Sequence, residues 1–500
     1  ISLTSIEISS NGTSGTIGAY LDNQGGGTAK SIVLKDATFD DNNKDGVVIL
    51  SKGQITWTGG SASGNDSGTG AKISNTSASI ARTITISSVD FDENTTTGLS
   101  VTSLGNITLG GVTADNNGSD GVDLDNCVYS SSTGACTGTG KIVIQSSTIN
   151  SFNGNGATGL VAYSSGDITV VNVEANENTM YGLNLRNNYT NAAGNISIKT
   201  GDKSTFNEVS GNDDNGVNIL TNGSVLVSNV IVNENGGNGI LVQNTGSADE
   251  DAVTINRIKT LTANNASSIV VTTKGEIKLS YVVDYGDGIL LDNTASTNGN
   301  GVTILRSKVE GVTGGTGLSV VTNGDVILDS MIANKNKIGV SIDNSTGGNA
   351  TVKVLDTYSE NVFSNNTQTG LLIISNGGVS LAGITAEGNG GDGINVSTDG
   401  NLVVADATLY RNSGNGMNAT ASAGATIRFV NAANNGAASN GDGVYIEVAS
   451  GSDVAISYSA ISGNYGDGIA VSGDASPTLF KTSYFGNDIN NTGDKNLNIF

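Results

Sequence analysis

The chain of 500 residues contains no histidine and a single proline, Pro477. Without histidine there is no Ser-His or Cys-His nucleophile, no imidazole proton shuttle and no histidine metal ligand. Aromatic residues make up 5% of the chain, and 23 basic residues stand against 46 acidic ones, for a net charge of −23. So acidic a surface repels phosphate backbones and anionic lipid heads, so nucleic acid and membrane surfaces are not expected as partners. The longest uninterrupted apolar runs are four residues, such as Val47 to Leu50, far short of the ~20 that a membrane-spanning helix needs. The sequence opens at Ile1 with neither a basic n-region nor an apolar h-region, the expectation for a mature form or an excised piece.

Cysteine is nearly absent as well. Cys127 and Cys136 bracket the segment Val-Tyr-Ser-Ser-Ser-Thr-Gly-Ala. A loop this short can close as a disulfide, which suits an oxidising compartment, and no CxxC spacing points to zinc or redox chemistry.

What the chain has in excess is glycine, 71 residues, about twice the usual ~7% share. Glycine and proline normally rise together in disordered or collagen-like chains; here they diverge, and a repeat explains why. A short Gly-apolar-x-apolar strand begins at Gly18, Gly46, Gly70, Gly98, Gly121, Gly159, Gly182, Gly216 and Gly239. It continues at Gly288, Gly317, Gly339, Gly370, Gly393, Gly416, Gly443 and Gly468, with Ser268 in the one place where glycine is missing. The mean spacing is about 26 residues, the signature of a stacked architecture.

From Gly216 to Asn238 the unit reads clearly: Val217 and Ile219, a turn at Asn222-Gly223, Val225 and Val227, Val230 and Val232, then Asn-rich sequence. Period-two alternation with abundant β-branched residues predicts an all-β chain. Three short strands per coil are expected, each pairing in parallel with its counterpart in the next coil. Strands with neighbours on both sides need every N–H, which excludes proline. The glycines are expected to serve turns with positive φ or tight corners. Recurrent asparagines (Asn94, Asn178, Asn235, Asn336, Asn365, Asn389, Asn412 and Asn464) are read as a stacked, structural amide ladder.

On these residues the chain resembles the right-handed parallel β-helix proteins of the pectin-lyase-like superfamily, especially their repeat-only surface and exported members. The resemblance implies a single solenoid of about 18 coils over residues 1–500. It says little about activity, since that fold hosts lyases, hydrolases, adhesins and inert stalks.

Coil length alternates. Compact units begin at Gly46, Gly98, Gly159, Gly216, Ser268, Gly317 and Gly370; the longer units between them gain length mostly after Asn23, Asn75, Asn126, Asn187, Asn244, Asn293 or Asn344. The repeat is therefore a pair of coils, with alternate loops protruding, and the alternation fades after Gly393.

Catalytic signatures are sparse. A polygalacturonase-type hydrolase is expected to carry Gly-His-Gly, impossible here, and no lyase-like Arg or Lys base sits at a fixed place beside clustered aspartates. An aspartate often precedes the strand glycine: Asp45, Asp120, Asp287, Asp392, Asp442 and Asp467. Asp-Gly turns explain this; the alternative is a calcium ion bridging Asp442 and Asp467 on consecutive coils. No other cofactor is implied. Leu241, Val270 and Leu290 fall at outward strand positions on successive coils, a candidate lateral contact. Tyr445, Tyr458 and Tyr465 could stack on sugars, and sequons such as Asn106-Ile-Thr108 and Asn195-Ile-Ser197 permit glycosylation. No polar cap closes either end of the repeat, so end-to-end self-association or a longer parent protein is expected. The sequence thus points to a bacterial extracellular or cell-surface structural β-helix, a stalk, adhesin shaft or fibre subunit. A polysaccharide-binding or polysaccharide-cleaving β-helix is the alternative.

Overall fold

The computed structural model describes residues 1–12, 15–25, 29–192, 194–246, 250–437, 441–473, 475, 477–487 and 497–499. The chain divides into two compact units, Ile1–Ser268 and Ile269–Phe500. Each unit is a stack of parallel coils, and no helix occurs among the described residues. Nine glycine-led strands, from Ala19–Asp22 to Ile240–Asn244, stack in the first unit. Nine more, Ile269–Thr273 to Ile469–Ser472, stack in the second, where Leu497–Ile499 pairs with the last of them.

The coil from Gly216 shows why this sequence folds so. Val217 and Ile219 point inward and are fully buried, and Val217 stands in register between Leu183 and Ile240. Gly223 N–H donates to Thr221 Oγ1 at 3.0 Å, which tightens the first corner. The following strand runs unbroken over Val225–Ile231, bent at Asn229 (φ 56°). What the sequence presents as a second and a third strand is here one strand folded at a single left-handed residue. The same corner is turned by Ser88, Asn172 and Arg257 in the first unit, and by Tyr281, Arg306, Asp406, Phe429 and Tyr458 in the second.

Many glycines serve corners with positive φ, as expected, among them Gly64, Gly154 and Gly463, but the strand-leading ones have a different role. Among the strand-leading glycines only Gly288 has positive φ (88°); the others are required by close approach. A Cβ on Gly98 would lie 2.6 Å from the carbonyl oxygens of Gly121 and Phe91 and 2.8 Å from Asn117 Nδ2. The strand glycine and the ladder asparagine of the next coil are thus one device.

The ladder is continuous over Asn42, Asn65, Asn94, Asn117, Asn155, Asn178, Asn212, Asn235 and Asn264 in the first unit, with Nδ2–Oδ1 distances of 2.7 to 3.2 Å. A second run links Asn336, Asn366, Asn389, Asn412, Asn435, Asn464 and Asn487. Asn365 is not a rung: it takes the left-handed conformation (φ 57°) that aims its neighbour Asn366 inward. Pro477 immediately precedes the strand Thr478–Phe480, where no interior N–H is lost.

The coil pair is also written in the core. Behind the third corner Phe39, Phe91 and Phe152 of the long coils alternate with Ala62, Ala114 and Ala175 of the compact ones, all fully buried. Large and small side chains thereby interdigitate at close packing, and Trp57 meets Phe39 and Phe91 edge-on at 5.6 and 5.3 Å.

Candidate functional site

The first corner sets what protrudes. In compact coils a serine or threonine ends the glycine-led strand, and its hydroxyl accepts the N–H of a glycine two residues on, as Ser51 does for Gly53 (2.9 Å) and Ser103 for Gly105 (3.0 Å). In long coils that place holds a buried asparagine, and its Nδ2 ties off a loop: Asn75 to Arg82 O at 2.9 Å, Asn187 to Gly194 O at 2.7 Å.

The longest of these loops carries the bond between Cys127 and Cys136, whose Cα atoms lie 4.5 Å apart. Tyr129–Ser130 and Ala135–Cys136 form an antiparallel hairpin there. It packs on the next long loop: the disulfide, Tyr189 and Ala192 make a small buried cluster, and Asn191 bonds both the N–H and the carbonyl of Cys136 at 2.8 and 2.9 Å. Asp125 receives the N–H groups of Cys127 and Val128, both at 2.8 Å.

On the strand below lies a group of carboxylates and phenols. Burial, then the nearby charges of Asp120 and Asp125, push the Asp123 carboxyl up to about 6. Burial also raises Asp120, opposed by the Thr158 N–H it accepts. Asp125, Tyr163 and Arg186 stand in register on three successive coils, and the Arg186 guanidinium lies 5.0 Å over the Tyr189 ring. Burial lifts the Tyr189 phenol to about 12. An acid that gains and loses its proton near pH 6 beside aromatic rings is one ingredient of general acid catalysis. Its two acidic neighbours are already engaged by backbone N–H groups.

A second feature of the first unit is a groove of about 620 Å³ at the second corner. Its walls are two insertions, residues 145–149 and 201–206, over the tight corner of the intervening compact coil. Asn172 holds both walls: its Nδ2 donates to Ser146 O (2.7 Å) and its Oδ1 accepts from Gly201 N (2.9 Å). Glu174 lines the groove, raised by burial and by the charges of Glu208 and Asp115. Phe206 lines it too, with Lys259 Nζ 4.2 Å over its ring.

In the second unit the same corner is cationic and aromatic. Arg306 lies 3.6 Å over the Tyr358 ring and bonds the Tyr281 hydroxyl, beside a shallow groove of about 520 Å³ that Lys308 also lines. Further along, Phe429 stacks on Tyr458 at 5.2 Å, and Phe480 meets Tyr458 edge-on at 5.4 Å.

The residues singled out from the sequence fall as follows. Asp442 accepts the N–H of Asp467 at 2.7 Å, and its carboxyl is pushed up to about 6 by burial first and by Asp467's charge last. The same column works alike elsewhere, Asp45 receiving Thr69 N–H and Asp392 receiving Asn415 N–H. Among the described residues no group of three or more histidines, cysteines or carboxylates is placed to hold a metal ion. Val270 and Leu290 are outward neighbours in register, Leu290 being 38% exposed. Leu241 faces outward in the first unit beside Asn218. Tyr445 lies on a glycine-led strand, Tyr458 at the second corner and Tyr465 just after ladder residue Asn464, so they form no common platform. The sequon residues Asn106 and Asn195 accept the N–H groups of Lys141 and Ser224 through Oδ1.

The second-corner groove and the Arg306 stack escape the sequence reading. One signal was present: Asn150, Asn207 and Asn361 are fully buried, and each accepts an N–H from the preceding coil, from Val112, Val173 and Met331, where a second-corner insertion closes.

Comparison with protein families agrees with this architecture. Residues 287–445 and 353–491 match the family model described as a right handed beta helix region. The match lies within residues 287–491, and together with the parallel coils of both units it fits a right-handed parallel β-helix repeat protein, consistent with the pectin-lyase-like superfamily. Such helices include enzymes and non-enzymes alike, so the family leaves the activity open. No curated protein and no solved structure matches the chain. No helix of the described residues is long and apolar enough to cross a membrane.

Proposed function

We propose that the protein is a structural β-helix of the cell surface or extracellular space, a stiff acidic stalk, adhesin shaft or fibre subunit that displays its longer loops. The observation that carries this reading is where the recurrent polar side chains go. Asparagines of the ladder, aspartates before the strand glycines and hydroxyls at the first corner are engaged coil to coil or within a corner. That chemistry stiffens a stack rather than turning over a substrate. The disulfide in the longest loop supports an oxidising compartment. The proposal treats residues 1–500 as one structural element, as the unbroken repeat of the sequence suggests.

Asp123, with its carboxyl raised by burial and by Asp120 and Asp125 and lying near the Tyr163 phenol, favours a second reading, a polysaccharide-binding or polysaccharide-cleaving helix. A panel of neutral and acidic polysaccharides, assayed between pH 5 and pH 8 for shortened products, separates the two. The structural reading expects none; products that vanish in Asp123→Asn would replace it with the enzymatic one.

A further inference from the structure

Two surfaces of this chain are left with complementary, uncompensated charge. Arg306 is exposed and rigidly held between two tyrosines that are themselves 47% and 57% exposed, Tyr281 and Tyr358. Among the described residues no carboxylate lies within ion-pair reach of its guanidinium. In the first unit, Glu174 and Glu208 stand in register on adjacent coils, about 4.8 Å apart along the stack. Among the described residues no lysine or arginine forms an ion pair with either of them, while Lys259 and Arg257 are placed over the Phe206 ring. Glu174 forms part of the 620 Å³ groove, with Phe206 at its wall.

We propose that the Tyr281–Arg306–Tyr358 stack of one molecule docks in the Glu174 groove of a second copy. The stack is a cationic, aromatic projection; the groove is an acidic recess with an aromatic wall. Arginine and tyrosine are the residue types that anchor interfaces most strongly, and a guanidinium pairs with carboxylates in a fixed planar geometry. In a chain of net charge −23, copies repel one another at long range, and a rigidly held cation facing a carboxylate offsets that repulsion locally. The two patches differ, so the contact is heterologous and propagates from copy to copy. The proposal rests on the structural reading above and names the partner surface that a fibre subunit requires.

Sedimentation velocity and negative-stain micrographs of the purified chain, between about 20 and 500 mM NaCl, test it. Concentration-dependent polymers at low salt that dissociate at high salt are expected. Arg306→Glu and Glu174→Lys each leave monomers, and the double exchange R306E/E174K restores polymers. Arg306→Gln and Tyr358→Ala remove the same contact if the charge reversal disturbs the corner. Monomers at every salt concentration, polymers that persist in Arg306→Gln, or a double exchange that restores nothing would overturn the contact while leaving the structural reading intact. Release of saccharide products would overturn that reading without touching the contact.

Discussion

Asn94 and Asn117, on successive coils, share one oxygen. The backbone N–H of Asn94 donates to Asn117 Oδ1 at 2.9 Å, and Asn94 Nδ2 donates to the same atom at 3.1 Å. Both residues are buried, and Asn94 Nδ2 also reaches Ala62 O at 3.1 Å.

Asn117→Ala therefore orphans a buried N–H and breaks two rungs at once. We expect it to lower stability by roughly 2–4 kcal/mol. The midpoint of denaturant unfolding measures this, with exposed Asn431→Ala as a control expected to stay within about 0.5 kcal/mol of the parent.

Gly98→Ala adds one methyl against two carbonyl oxygens and the Asn117 amide. Overpacking of backbone atoms costs about 1–3 kcal/mol or more. A chain that unfolds at unchanged denaturant concentration would show that the strand glycines serve something other than close approach.

Asp442 and Asp123 carry carboxyls raised to about 6. The folded state then binds more protons than the unfolded one between about pH 4 and 6, so stability falls as pH rises through that window. Asp442→Asn keeps the acceptor for Asp467 N–H, as Asn215 and Asn415 do for Asn238 and Asp442, and removes the poorly solvated charge. We expect a gain of about 1 kcal/mol at pH 7, after allowance for solvent screening, and none at pH 4. Melting curves at the two pH values check both the sign and its disappearance.

The hairpin closed by Cys127 and Cys136 lies outside the ladder. Replacing both cysteines by serine is expected to raise hydrogen exchange over residues 127–138 and 188–192, while the global melting transition moves little. A large fall in that transition would mean the loop clamps the coils beneath it.

The repeat was legible in the sequence because nearly every coil places two apolar residues inward and one glycine in close approach to the next coil, most often to its ladder amide. Alternation of long and compact coils was equally visible, since Asn75 and Ser103 occupy one corner position with different loop lengths. Left-handed corners filled by Phe429 or Arg306 were not, because propensity assigns such conformations to glycine and asparagine. Arg306 and Tyr358 meet only because two coils of unequal length close at the same corner. The Asp123 group depends likewise on which coils carry Asp125, Tyr163 and Arg186 side by side.

The alternation of Phe39, Ala62, Phe91 and Ala114 behind the third corner bears on how such a chain changes length. Removing one coil would set phenylalanine on phenylalanine, and asparagine on asparagine at the first corner. Excising residues 46–97 or duplicating them keeps both alternations in phase. The gene can thus grow or shrink with least disruption in steps of two coils where this alternation holds, and it holds again past Gly393, where Leu409 and Ile461 flank the buried Ala432 in register.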